Sequence, residues 1–159
     1  MSDLNPYAKF LDGRPLDTIL TSTPSAIATL LETIGPQKSP APPTPRKWSA
    51  AEIHCHLADC ELTFAFRLRQ TLAEDNHTIQ PFDQEKWAAT YPGIAAAQAL
   101  AAFSAMRDWN LKLIAKTLPT AADRKVTHPE RGPMTFKTIV ETMAGHDLNH
   151  LSQLQRIAQ

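Results

Sequence analysis

The sequence predicts an all-α fold: a single-domain four-helix bundle with long crossover connections. Three observations carry this. Four segments place apolar residues at helical spacing, no segment shows sustained strand alternation, and most of the thirteen prolines gather between those segments. Connectors this long permit crossover links, so a simple up-down-up-down order is not assured.

The first segment carries Leu16, Ile19, Leu20, Thr23, Ile27, Leu30, Leu31 and Ile34. Pro24 lies within it, so either Thr23 caps a helix with Pro24 in its first turn or the helix kinks there. Pro36, Pro40, Pro42, Pro43 and Pro45 then form an extended connector that cannot be helix interior. Ser49 with Glu52 three residues on is a capping box, followed by Ile53, Leu57, Cys60, Phe64, Leu68 and Leu72. A polar connector covers residues 74–93. The third helix is alanine-rich and runs from about Ile94 to Leu118. Residues 119–134, with Pro119, Pro129, Gly132 and Pro133, form the third connector. The fourth helix starts near Thr135 and aligns Phe136, Ile139, Val140, Met143, Leu154 and Ile157.

A chain of 159 residues fits one domain, read as an N-terminal arm over 1–15 and the bundle over 16–159. Sixteen basic and sixteen acidic residues cancel, which argues against a nucleic-acid binder working through a net basic field. No run of about 18 apolar residues suggests a membrane span, and no basic head with an apolar run suggests a secretory signal. Cys55 and Cys60 lie roughly 140° apart on one helix, which suits no disulfide between them. The expected setting is a reducing cytoplasm.

Six histidines occur, and their placement matters more than their number. His146 and His150 are one helical turn apart, on the side shared by Met143 and Leu154. They replace apolar residues on an inward stripe, where two neutral imidazoles can converge on one metal ion or simply be hydrogen-bonded. The H-x-x-x-H spacing resembles that of zinc proteases, but Asp147 stands where those need glutamate. Nothing in the nine residues after His150 can supply a third ligand. His56 falls near the apolar face of the second helix and is the candidate third ligand, with Cys60 one turn on as an alternative. Three histidines leave a coordination position open, as catalytic sites do. His54, about 200° from His56, is expected at the surface, as is His77.

The stretch Trp48-Ser49-x-x-Glu52-Ile53-x-x-His56-Leu57-x-Asp59-x-Glu61 resembles the second-helix motif of the DinB/YfiT-like superfamily. His146-Asp147-x-x-His150-Leu151-x-Gln153 resembles its last-helix motif, and His128-Pro129-x-x-Gly132-x-x-Thr135 the loop before that helix. With the Thr23-Pro24 start, the likeness runs from about residue 16 to 157. It implies a four-helix bundle with crossover links, often a homodimer, and a divalent metal (nickel, zinc or iron) held by His56, His146 and His150. For activity it implies hydrolysis or the transfer of low-molecular-weight thiols on an unidentified small molecule. A non-catalytic metal-binding protein and a helical interaction module are the alternatives.

Three residues are candidates for proton transfer. One of Asp59 and Glu61 reaches the pocket edge or orients a ligand histidine, or each lies on the helix surface paired with Arg67 or Arg69. His128 sits in a Pro-Gly loop and either donates a proton or fills a turn. Asp147 is read as a partner of a ligand or an exposed acid. Arg107 and Asn110 either bind an anionic substrate or face solvent. Trp48, Trp87 and Trp109 are expected in the core or an interface.

Overall fold

A computed structural model describes residues 4–159. Four long helices form the bundle: α1 (Leu16–Lys38), α2 (Ala50–Ala73), α4 (Ala96–Ala121) and α5 (Phe136–Ala158); a short α3 (Gln84–Ala88) lies in the second connector. α1 and α2 each pack on α4 and α5 and touch each other little. Sequence neighbours α1 and α2 therefore sit on a diagonal, as do α4 and α5, and the connectors cross the ends of the bundle. The apolar stripes meet in more than one buried cluster: one holds Leu20, Leu68, Phe136, Val140 and Met143, all removed from solvent, and another holds Ile27, Leu57, Phe103 and Leu154. Burying each such side chain contributes about 1.5–3 kcal/mol.

Capping boxes close α2 and α5 at the starts expected from the sequence, though only the first is read from it as a capping box. Ser49 Oγ accepts from Glu52 N–H, and the Glu52 carboxylate accepts from Ser49 N–H at 2.7 Å. Thr135 and Thr138 make the corresponding pair at the start of α5. Each fixes the register of a helix that carries site histidines.

Pro24 neither follows a cap nor starts a kink. α1 begins at Leu16 and keeps helical geometry through Pro24, breaking only at Gly35, whose φ of 74° a glycine adopts without strain. Pro24 has no N–H for the Leu20 carbonyl one turn back. That carbonyl instead accepts from Arg107 Nη1 of α4 at 3.1 Å.

The third connector departs from the expectation of no strands. β1 (Lys125–His128) and β2 (Gly132–Thr135) form an antiparallel hairpin with Val126 opposite Met134. Both side chains face the core. Strands of four residues rich in Pro, Gly and charge are too short to show an alternation. The hairpin gains a further partner from the second connector, where Ile79 N–H donates to Thr127 O and Thr127 N–H to His77 O.

Ahead of α1, a 3-10 turn (Ala8–Phe10) packs on α5. Its approach depends on Gly145, because a Cβ there would stand 2.6 Å from the Tyr7 carbonyl oxygen. No described helix is long and apolar enough to cross a membrane.

Candidate metal centre

α2 and α5 pack directly and bring His56 against His146 and His150. The three ligand atoms lie within 4.8 Å of one another, and all three residues are buried. His146 Nε2 stands 3.0 Å from His56 Nε2 and 3.1 Å from His150 Nε2. A neutral ring nitrogen has either one hydrogen or one lone pair, so His146 Nε2 cannot serve both neighbours well. Two nitrogens bound at about 2.0–2.1 Å to a common ion stand roughly 3 Å apart, so the spacing fits a shared cation. Gln153 Oε1 lies 2.9 Å from His150 Nδ1, which assigns the proton to that nitrogen and aims the Nε2 lone pair at the cluster.

Burial keeps these imidazoles uncharged. The pKa of His56 falls to about 3, through burial and then the neighbouring His150. That of His150 falls to about 4, and His146 lies well below its ordinary value, both chiefly through burial. Lone pairs are thus available at neutral pH, and three neutral nitrogens suit nickel, zinc or iron.

Two cavities flank the cluster. The outer one, about 660 Å³, is bounded by His56, His150, Trp48, Gln153, Arg46 and Arg156. The inner one, about 200 Å³, is bounded by His146, Cys60, Arg67, His128 and Arg131. Tyr7 borders both, its ring edge-on to that of His146 with centroids 5.1 Å apart. Cys60 Sγ is 3.4 Å from His56 Nε2 but does not belong to the mutual cluster.

Neither candidate carboxylate joins the three nitrogens. Asp59 accepts from Tyr91 OH at 2.8 Å. Glu61 is 1 % exposed and paired with Arg107, not with Arg67 or Arg69 at the surface. The Arg107 guanidinium places all five N–H groups: two on Glu61, two on Asp147 and one on Leu20 O. Asn110 adds a bond to Glu61 and accepts one from Arg69. Arg107 and Asn110 therefore face neither substrate nor solvent, and Asp147 is not exposed. One arginine ties α1, α2, α4 and α5 together beside the histidines. His128 lines the inner cavity, where Arg131 Nη2 approaches its Nε2 at 2.7 Å.

Helical spacing placed His54 outward, yet it is buried, with Nδ1 donating to Ala50 O. His77 is half-buried, with both ring nitrogens lacking partners. The surroundings of α2 explain His54, since helices and connectors cover more than one of its faces. Trp87 and Trp109 are exposed. Tyr7 and Arg131 went unmarked in the sequence, and Arg67 was named only as a surface partner for Asp59 or Glu61; the eleven-residue spacing from His56 to Arg67, three helical turns, was the one signal that pointed to its place.

Residues 19–154 match the DinB superfamily. A protein of Oceanobacillus iheyensis named "Putative metal-dependent hydrolase" is 26 % identical over 113 residues, covering 70 % of this chain and 66 % of that one. A second from that organism, similarly named, is 23 % identical and covered over 63 % of its length, so the chain spans about two thirds of these relatives. A Bacillus cereus protein of the same description is 20 % identical over 97 % of this chain and 95 % of its own. Among solved structures, YfiT from Bacillus subtilis is described as "a probable metal-dependent hydrolase with an unusual four-helix bundle topology". It superposes with a TM-score of 0.79 at 18 % identity, covering 89 % of this chain and 84 % of that one. That likeness establishes the shared bundle topology, and the match over most of the sequence makes this chain a member of the DinB superfamily.

Proposed function

We propose that this chain is a metal-dependent enzyme acting on a small molecule, with one divalent ion of nickel, zinc or iron held by His56, His146 and His150. The observation that carries the reading is three buried, uncharged imidazoles with Nε2 atoms crowded at 3.0–3.1 Å beside two cavities. A divalent ion there would supply Lewis acidity, bringing the pKa of a bound water toward about 7 or holding a thiol as thiolate. Gln153 orients His150, and the Trp48 ring packs 4.7 Å from that of His56.

Hydrolysis is the first reading, because the similar proteins carry that description. Transfer of a low-molecular-weight thiol is the second, and one observation favours it. Glu61 and Asp147 are both engaged by Arg107, and no described carboxylate joins the ligand nitrogens. A thiol, with a free pKa of about 8.5, needs less help from a protein base than water does.

Elemental mass spectrometry on protein purified without added metal or chelator tests the reading. The expected result is a stoichiometric transition metal, lost in His56→Ala, His146→Ala and His150→Ala. Ester hydrolysis or thiol transfer should vanish with chelator while circular dichroism is unchanged. Full metal content in His150→Ala would overturn the ligand set. No metal after reconstitution with nickel, zinc and iron would overturn the enzyme reading. Metal loss that unfolds the chain, with no turnover of either substrate class, would leave a structural ion instead.

The same reading includes a cytoplasmic homodimer. Both cysteines are free and buried, and Leu62, Phe66 and Trp109 are exposed on the two packed helices α2 and α4. Sedimentation equilibrium of wild type and Trp109→Glu tests the dimer.

A further inference from the structure

Arg67 follows His56 by three helical turns, which returns it to nearly the same face of α2. Its guanidinium is half-buried and forms no ion pair among the described residues. Nη2 donates to Gln80 O at 3.1 Å, and Phe82 lies 5.9 Å from the guanidinium carbon. Nε is buried with no partner. Arg131, from the turn between β1 and β2, borders the same cavity of about 200 Å³ together with Glu130, and lies 2.7 Å from His128 Nε2, whose ring accepts Glu130 N–H at Nδ1. Burial, and then the nearby Arg131 charge, disfavour the charged form of Arg67.

A half-buried cation without an acid partner is costly, and a second cation beside it adds to the cost. By contrast, Arg107 is more deeply buried and meets two carboxylates. The missing element at Arg67 is an anion, and the guanidinium fork is shaped for an oxyanion. The cavity suits one such group rather than a whole substrate.

We propose that the inner cavity is an oxyanion subsite, in which Arg67 and Arg131 receive a carboxylate or phosphate group on the His146 side of the histidine cluster. Assigning that group to the substrate rests on the metal-enzyme reading, and makes the substrate a small anion-bearing molecule. The anion binding itself does not rest on it.

The test is isothermal titration calorimetry of the full chain with inorganic phosphate and, separately, acetate. Proteins compared are wild type, Arg67→Gln, Arg131→Gln, Arg156→Gln in the outer cavity, and His150→Ala, each checked for fold by circular dichroism. Wild type should bind at least one anion saturably, and the better of the two identifies phosphate or carboxylate as the preferred group. Arg67→Gln and Arg131→Gln should weaken binding roughly tenfold or more, while Arg156→Gln and His150→Ala stay within about twofold. If Arg67→Gln fails to fold, Arg131→Gln on the hairpin turn carries the test. Absence of saturable binding by wild type would overturn the proposal, as would full binding by both inner-cavity variants. Equal loss in Arg156→Gln would place the anion in the outer cavity, and selective loss in His150→Ala would place it on the histidine centre; either overturns the subsite. Wild type that takes up no metal after reconstitution with nickel, zinc and iron, yet still binds the anion through Arg67, would sink the metal reading and leave the subsite standing.

Discussion

Arg107 places all five of its N–H groups, whereas beside it, between α2 and α5, three imidazole nitrogens crowd together with too few protons to satisfy them. Both clusters are buried and polar, and they meet where Asp147 follows His146. The difference separates a polar group that holds the fold from one that awaits a ligand. A complete network rigidifies its surroundings, and an incomplete one costs free energy until something else completes it.

Breaking the complete cluster should have the largest effect. Arg107→Leu leaves Glu61 and Asp147 buried without their cation and frees the Leu20 carbonyl. Removing one partner of such a buried pair costs about 3–5 kcal/mol. Urea unfolding followed by circular dichroism should show an unfolding free energy lowered by that amount, or no cooperative transition. A loss under about 1 kcal/mol would mean that water replaces the guanidinium, and the contrast with the histidines would fall.

The incomplete cluster should respond to pH instead. In the metal-free fold, His56 titrates at about 3, His150 at about 4, and His146 well below its ordinary value. In the unfolded chain all three titrate near 6.5. Below that pH the unfolded state binds more protons, so their contribution is full above pH 6.5 and is lost as pH falls toward 4 and then 3. Unfolding midpoints of metal-free protein should therefore drop from pH 7 to pH 5, and drop less in His146→Ala. His54, also held neutral by burial, contributes in both proteins, so their difference is the readout. Parallel pH curves would mean that His146 is not desolvated. The same substitution should reduce metal affinity by more than the 10–100-fold typical of losing a supporting partner.

Gly145→Ala should act on the boundary between the two cavities. The new Cβ would meet the Tyr7 carbonyl oxygen at 2.6 Å, so the 3-10 turn must move off α5. The expected cost is about 1–3 kcal/mol, as for other overpacked sites. Tyr7 should also become accessible, read by tyrosine fluorescence quenching, with the histidines still able to bind metal. Unchanged quenching would show that Tyr7 does not depend on this close approach.

Much of this was legible in the sequence, and the failures have physical causes. A capping box is local, so Ser49-Glu52 gave the origin of α2 directly, and the start near Thr135 proved to be a second box, closed by Thr138. Helical spacing placed His146 and His150 together, and the apolar stripe of α2 turned His56 toward them. Angles around one helix cannot say what covers each face, however. Glu61 does lie well around the helix from His56, yet α4 brings Arg107 to it, and His54 is covered in the same way. The hairpin was invisible because its pairing is between short strands and its support comes from residues 77–79 of another connector. Arg67 was named only as a surface partner for acids, since nothing local distinguishes a solvated arginine from one set against a cavity.

The smallest expected effect lies in α1. Pro24 leaves the Leu20 carbonyl without its helical donor, and Arg107 Nη1 uses it. Pro24→Ala restores an N–H at that place. A carbonyl oxygen has two lone pairs, so it can accept from both, and alanine is the better helix former. Stability should change by less than about 1 kcal/mol. A loss well beyond that would mean the restored N–H pulls the carbonyl away from Arg107. In that case the proline belongs to the clamp as firmly as Glu61 does, because completeness at Arg107 would require a residue that donates nothing.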